Sequence, residues 1–360
     1  MLNLIGPFLM QSWPFIAFSF LATFVFTLVV IKIAPYWGII DDPRRPHPGI
    51  THTRPIPRGG GLGLWLGSSL TILLFLPLSP LIKALLIGSL VNVAVGILDD
   101  RYNLSPYLRL LVTLPLSALP LIWTGYQLTL SNPWGGEILQ FRWAKISLGQ
   151  IFFYLPEALL IIFWVVWLTN LVNWSKGVSQ LPGVAVISFL TLAGVALKYQ
   201  AGNPHQILTA QLGLIFAASC LAFLPFNFPP ERIFPGFGGS TWIGFNLAAL
   251  SLLSGGKLAA ALLVLGIPTA DMFLTIFSRL RQKKNPLYAG RDHLYHLLLA
   301  LGLTKRQIIF SYWAFSSLLG LIALQLERRQ KLFALLSVLL ATGGIFLFIH
   351  YLVSRNKKKF

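Results

Sequence analysis

Eleven stretches of this chain are long and apolar enough to cross a bilayer, and that leaves few folds open. A spanning helix needs about 20 residues. Such runs fall at 13–35, 59–79, 81–98, 105–124, 148–173, 178–198, 206–228, 240–255, 257–280, 305–326 and 331–353. Inside a bilayer each run must satisfy its own backbone hydrogen bonds, and runs of this length do so as helices. Composition agrees. The 360 residues are 56% hydrophobic and only 11% charged, against roughly 25% charged in soluble domains. The expected fold class is an all-α integral membrane protein of about 11 transmembrane helices, one polytopic domain over 1–360.

Lysine and arginine set the orientation, because they gather on the cytoplasmic side. With the N-terminus outside and the C-terminus cytoplasmic, the inner loops hold 20 of the 28 basic residues and the outer loops 8. Arg328, Arg329 and Lys331 form the main exception. Residues 1–12 lack the basic start of a removable signal peptide, so the first run is read as a retained anchor in a multi-pass inner (plasma) membrane protein. The single cysteine, Cys220, excludes an internal disulfide and a cysteine-based metal cluster. A net charge of +18 favours anionic partners, including anionic lipids. Nucleic acid is not expected, since the basic residues are scattered among short loops. The sequence leaves a homodimer open.

This topology gathers the unusual polar stretches on the inner side, where they would build a polar cleft. Asp99 and Asp100, in "GILDD", end a helix. Paired carboxylates suit Mg²⁺, a hard cation that keeps waters and substrate phosphates in its shell; the alternative is a helix stop partnered by Arg101. Asn170 and Asn173 share a helix face at i and i+3, and could grip a base, a sugar or a metal, or bond across helices. "GFGGS", 236–240, opens a helix with Gly238 and Ser240 in its first turn, as a phosphate grip or a tight turn. Arg291, His293 and His296 could hold phosphate or move a proton, or belong to an exposed amphipathic helix. His52, Arg54 and Arg58 lie in a proline-rich loop, "DDPRRPHPGITHTRPIPRGGG". Guanidinium groups suit phosphate; such residues also anchor inner loops. Asp271, at membrane depth in the ninth run, is a further functional candidate, and Glu157 in the fifth has no evident role.

At these residues the chain resembles the polyprenyl-phosphate N-acetylhexosamine-1-phosphate transferases, glycosyl transferase family 4, which include the phospho-N-acetylmuramoyl-pentapeptide and undecaprenyl-phosphate GlcNAc-1-phosphate enzymes. "THTRPIPRGGG", "GILDD", the asparagine pair, "FNFPPERIFPGFGGS" and "RDHLYH" follow the family's motifs in order from residue 41 to 296. The resemblance implies a site on the inner face. There Mg²⁺ would help a polyprenyl phosphate attack the sugar-bearing phosphorus of a UDP-sugar in cell-envelope polymer synthesis, with UMP leaving. Catalytic and metal roles then fall to Asp99 and Asp100. Substrate binding falls to His52, Arg54, Arg58, Asn170, Asn173, Lys176, Gly238, Ser240, Arg291, His293 and His296.

The departures bear on activity. The family's acid positions after the asparagine pair are Lys176 and Ser179, its acid in "GDxGS" is Phe237, and one of its histidines is Tyr295. Either the site has lost its metal, leaving a non-catalytic descendant that binds lipid phosphate or organises an envelope-synthesis complex, or it has been rebuilt with Lys176 as a point charge on phosphate. Cofactor expectations follow: Mg²⁺ if the site turns over, none otherwise. A third class, a transporter of anionic lipid or solute, fits the span number but lacks internal repeats.

Overall fold

The computed structural model describes residues 2–357 apart from 45–48, 126–127, 129, 131, 133–138, 150, 176, 178, 200–203, 254–256 and 288–289. Helices dominate it: α1 Leu2–Ile33, α2 Gly60–Phe75, α3 Pro80–Tyr102, α4 Pro106–Leu108, α5 Leu114–Trp123, α6 Leu155–Trp174, α7 Leu181–Lys198, α8 Pro204–Asn227, α9 Gly236–Leu253, α10 Leu258–Val264, α11 Gly266–Arg281, α12 Leu294–Ala300, α13 Lys305–Gln325 and α14 Arg328–Lys357. Two short antiparallel ladders complete it, β1 Ile40–Asp41 with β2 Ile56–Pro57 and β3 Lys145–Leu148 with β4 Ile151–Tyr154. The protein is a multi-pass all-α membrane protein.

Among the described residues eight helices are long and apolar enough to cross a membrane, nine if the bent pair α10–α11 counts as one. The remaining two of the eleven expected runs are α2, only 16 residues long, and α9. Every residue of α9 from Gly236 to Leu253 is buried. It is the axis of the bundle, packed by α2, α3, α6, α7, α8 and α10. A helix apolar on all sides belongs in such an interior. The outer helices turn large apolar side chains outward, such as Leu21 of α1 and Leu340 of α14. In water these would be costly to expose; in a bilayer the surrounding solvent is itself apolar.

Two expected spans differ in detail. The run at 148–173 does not begin as helix: its first residues are β4, hairpinned to β3 through Gly149 at φ +63°, and α6 starts only at Leu155. β-Branched and aromatic residues, with a left-handed glycine at the turn, favour a hairpin. Glu157 finds its role here, accepting from the Leu128 N–H at 3.3 Å and facing Arg142 at 3.6 Å. The run at 257–280 is not straight either, but bends by 82° between α10 and α11. The break falls at Leu265, and Pro268 lies in the first turn of α11, where its missing N–H costs no helical hydrogen bond.

The fourth span is irregular in a way that matters for the site. Between α4 and α5 the backbone makes a π-helical turn, Arg109–Thr113. Such turns re-aim side chains within an otherwise helical path, and the side chain at its start is an arginine.

Candidate functional site

α3 delivers the two aspartates. Pro80 opens it, Ser79 caps it by accepting from the Ile82 N–H, and Asn103 ends it in the left-handed conformation at φ 51°. Both carboxylates are buried at this end and each meets a different arginine. Asp99 accepts from Arg109 Nη1, 3.2 Å from each carboxylate oxygen. Asp100 faces Arg58 Nε at 3.0 Å and accepts the Phe237 backbone N–H at 3.1 Å.

The start of α9 is shaped around Asp100. Gly236 lies at φ +71°, and a Cβ there would fall 2.0 Å from Asp100 Oδ2. Only glycine meets both demands. One turn further on, α3 and α9 cross backbone to backbone: a Cβ on Gly96 would stand 2.0 Å from Gly238 Cα. These glycines let the carboxylate reach the first free N–H groups of α9, where a helix N-terminus favours an anion.

Arg58 is positioned by the proline-rich loop. The β1–β2 ladder holds its N-terminal side, Arg58 N–H donates to Ile39 O at 2.9 Å, and Phe234 N–H donates to Pro57 O at 2.8 Å. Gly60 and Gly61 N–H donate to Phe234 and Pro235 carbonyls. Thus "RPIPRGG" and "IFPG" run together although some 177 residues separate Arg54 from Glu231, whose carbonyl accepts from Arg54 Nη2 at 3.0 Å. His52 Nδ1 contacts Arg54 O at 2.8 Å, its Nε2 lies 3.5 Å from Asp41 Oδ2, and its ring packs on Phe234.

The other wall comes from α6, α11 and the segment before α12. Asn173 Oδ1 accepts from Ser240 Oγ at 2.8 Å. His293 Nδ1 lies 2.9 Å from Asp271 Oδ2, and the Leu294 N–H donates to Asp271 Oδ1 at 2.6 Å, so Asp271 fixes the entrance to α12. The Trp174 ring lies edge-on to His293.

These elements enclose an open cavity of about 240 Å³ lined by His52, Arg58, Asp99, Asn173 and His293. Five sequence-predicted residues therefore share one cavity, with Asp100 directly behind Gly236. Others stand apart from its lining. Arg54 is exposed. Asn170 donates to Val166 O of its own helix at 2.7 Å. Gly238 and Ser240 are buried in the helix crossing behind the wall. Arg291 is exposed, and His296 is buried beneath Tyr295, ring centroids 4.0 Å apart. Lys176 lies outside the described residues.

Sequence reasoning missed Arg109, Arg279 and Asp41, all of which line the cavity. Arg109 was visible only as one more inner-loop cation. Its guanidinium lies 5.0 Å from the centroid of the Phe237 ring while bonding Asp99. The ring that stands in the family's acid position is thus a platform for an arginine, a favourable cation–π arrangement. Arg279 donates to Asp292 at 3.0 Å and to Pro286 O at 2.9 Å.

The donor set does not fit Mg²⁺. A hard divalent cation wants anionic oxygens in an open shell. Here each paired carboxylate already holds an arginine, and Asp100 holds a backbone N–H as well. Among the described residues no three histidine, cysteine, aspartate or glutamate side chains cluster to hold a metal. Three arginines against two aspartates in the lining make the cavity cationic, suited to phosphate oxygens through charge-assisted hydrogen bonds.

His296 supplies a pH prediction. Burial, reinforced by the positive fields of His293 and Arg291, pushes its imidazole down to about 4. Its Nε2 has no hydrogen-bond partner among the described residues. The native state keeps this ring neutral, whereas the unfolded chain takes up a proton near pH 6.5. Its contribution is therefore intact above about pH 6.5 and is lost progressively as the pH falls toward about 4. The thermal unfolding midpoint should drop across that window in wild type and drop less in His296→Gln; parallel pH profiles would refute the assignment.

Known proteins resemble this chain over most of its length. A family model described as glycosyl transferase family 4 matches residues 82–255, from α3 through α9. A Bacillus subtilis protein named as a probable undecaprenyl-phosphate N-acetylglucosaminyl 1-phosphate transferase is 28% identical over 318 residues, covering 86% of this chain and 83% of its own. The undecaprenyl-phosphate alpha-N-acetylglucosaminyl 1-phosphate transferase of Haemophilus influenzae is 29% identical, covering 80% and 79%. The decaprenyl-phosphate N-acetylglucosaminephosphotransferase of Mycolicibacterium smegmatis is 26% identical, covering 80% and 75%. With its aspartate pair, asparagine helix end and glycine-opened helix meeting at one cavity, the chain matches the glycosyl transferase family 4 model through its central helices and resembles these transferases over most of its length.

Proposed function

We propose that this cavity binds the phosphate of a polyprenyl phosphate, beside a UDP-sugar, on the cytoplasmic face, and that the protein serves cell-envelope polymer synthesis by holding these molecules rather than by metal-dependent transfer. One observation carries the reading: both aspartates are neutralised by arginines, and the ring of Phe237 supports one of them. Arg58 and Arg109 supply positive charge at a fixed place. A bidentate guanidinium can hold phosphate oxygens there without a divalent ion. Asn173 and His293 also line it, and amide and imidazole groups suit a nucleotide or sugar hydroxyl. The relatives' names support the substrate class, a polyprenyl phosphate and an N-acetylglucosamine phosphate donor.

Transfer itself is the second reading, favoured by the survival of both aspartates in a cavity that relatives of known transferase name align across. In it a lipid phosphate oxygen forms a bond to the sugar-bearing phosphorus of UDP-N-acetylglucosamine. The bridging P–O bond breaks and UMP departs. This chain's residues would bind and orient; the Asp99–Arg109 pair would move with the charge that develops on phosphate.

One experiment separates the readings. Full-length protein in detergent is titrated with a short-chain polyprenyl phosphate, with and without EDTA, and UMP release from UDP-N-acetylglucosamine is followed in parallel. The expected result is lipid-phosphate binding that EDTA leaves within about twofold, and no UMP above that of an Arg58→Met control. Mg²⁺-dependent UMP release abolished by Asp99→Asn would establish transfer and overturn the first reading.

A further inference from the structure

A second cationic cluster lies far from the cleft. α7 begins at Leu181, beside the cavity: the preceding Gly177 lines it against Tyr295. Seventeen residues later α7 ends at Lys198, about 26 Å away by helix rise. There Tyr199 is ringed by ammonium groups. Lys257 Nζ lies 4.4 Å from the ring centroid, Lys198 Nζ 5.7 Å and Lys331 Nζ 5.8 Å. The three come from separate places, the end of α7, the residue before α10 and the first turn of α14, so the fold assembles them.

Their compensation is incomplete. Among the described residues Glu327 is the carboxylate beside them; it accepts from Lys198 Nζ at 3.1 Å and from the Tyr199 hydroxyl at 3.1 Å. Lys198 also donates to Leu324 O, and Lys257 to Gln206 Oε1 and Val195 O. Lys331 is only 6% exposed. Burial, and then the neighbouring charge of Lys331, pull Lys257 down to about 7. Like charges held together out of water are unfavourable unless an anion joins them. A cation–π face steadies the ammoniums but carries no full negative charge. What the cluster lacks is a compact anion with several acceptor oxygens.

We propose that Lys198, Lys257 and Lys331, grouped about Tyr199 at the end of the bundle away from the cleft, form a second anion site that takes a phosphate group. Three ammonium groups beside Glu327 leave the cluster cationic, as a phosphate site requires. The ends of membrane helices lie at headgroup level, where phosphodiesters of anionic lipids are the most abundant such group. The site would then fasten the α7, α10 and α14 ends to the lipid surface. It is independent of the cavity reading, since no residue is shared between them.

The test uses the full chain in neutral detergent, titrated separately with dioleoyl-phosphatidylglycerol and with inorganic phosphate, in wild type and in Lys257→Met/Lys331→Met. Bound lipid is counted by native mass spectrometry, and the unfolding midpoint is recorded at each step. Wild type should gain stability with phosphatidylglycerol, and the double variant should need at least tenfold more lipid for the same gain. Because the variant loses repulsion, its midpoint without lipid should equal or exceed that of wild type. Inorganic phosphate acting in the same differential way identifies the phosphate group itself as ligand; a response to lipid alone identifies the headgroup. Equal lipid response in both proteins overturns the proposal, as does a wild type that gains nothing from either ligand. A double variant that fails to fold, or melts well below wild type without lipid, also overturns it, by showing the lysines to be structural.

Discussion

Gly96→Val is expected to leave almost no folded protein. Gly96 faces Gly238 where α3 crosses α9, and even a methyl group would meet the Gly238 Cα at 2.0 Å and its nitrogen at 2.3 Å. Both obstacles are backbone, so no side-chain rotation relieves the clash. α9 cannot retreat, because it is buried along its length among six other helices. Overpacking a tight core costs about 1–3 kcal/mol when side chains can adjust, and here they cannot, so the loss should reach or exceed the upper end. That is a large fraction of a typical stability of about 5–15 kcal/mol. Recovery of monodisperse protein in detergent is the measurement. Gly344→Ala, in α14 with nothing within 4 Å of the new methyl, is the matched control and should be neutral or stabilising. A Gly96→Val protein recovered at wild-type yield would show that the helices do not cross there.

The second large effect is expected at Arg58→Met. The Asp100 side chain has no exposed surface, and Arg58 at 3.0 Å is its counter-ion. Removing one partner of a buried pair costs about 3–5 kcal/mol, because the remaining charge is left without compensation. The Phe237 N–H still reaches Asp100, which places the expected loss at the lower end, about 3 kcal/mol. Adding Asp100→Asn should recover most of that stability, since a neutral amide no longer needs the arginine. Binding of polyprenyl phosphate should stay weak in both variants, by at least tenfold, because the phosphate has lost a cation in either case. Thermal unfolding and lipid titration on the same samples separate the two effects. If Arg58→Met unfolds at the wild-type temperature, Asp100 is not held as described. If the double variant binds lipid phosphate as wild type does, Arg58 does not face the ligand.

Much of this protein was legible in one dimension. Each of the eleven apolar runs contains helix, because the bilayer's demand for internal hydrogen bonding acts on every run separately. Where the reading slipped, a local signal was hidden inside an apolar stretch. Ile151–Tyr154 is as hydrophobic as the helix it precedes, and its strand conformation depends on pairing with Lys145–Leu148. The bend at Leu265 was hidden for the same reason, since hydropathy is blind to direction.

The site divides along a similar line. Asp99, Asp100, Asn173, His293 and the "RPIPRGG" loop stood out because polar residues beside membrane spans are rare, and the replacement of an acid by Phe237 could be read directly. Which of these residues share a cavity, and which carboxylates are already spent on arginines, could not. Asp100 and Phe237 are 137 residues apart, and Arg109, at the start of a π-helical turn, reaches Asp99 on the preceding helix. Hydropathy and motif order are properties of neighbours in the chain, so the amino-acid sequence by itself determined the membrane, the helices and the kinship. Charge compensation acts over about 3 Å between residues distant in the chain, so only the packed helices decided that the aspartate pair at this cleft is bound by arginines and that a second group of lysines gathers at the other end of the bundle.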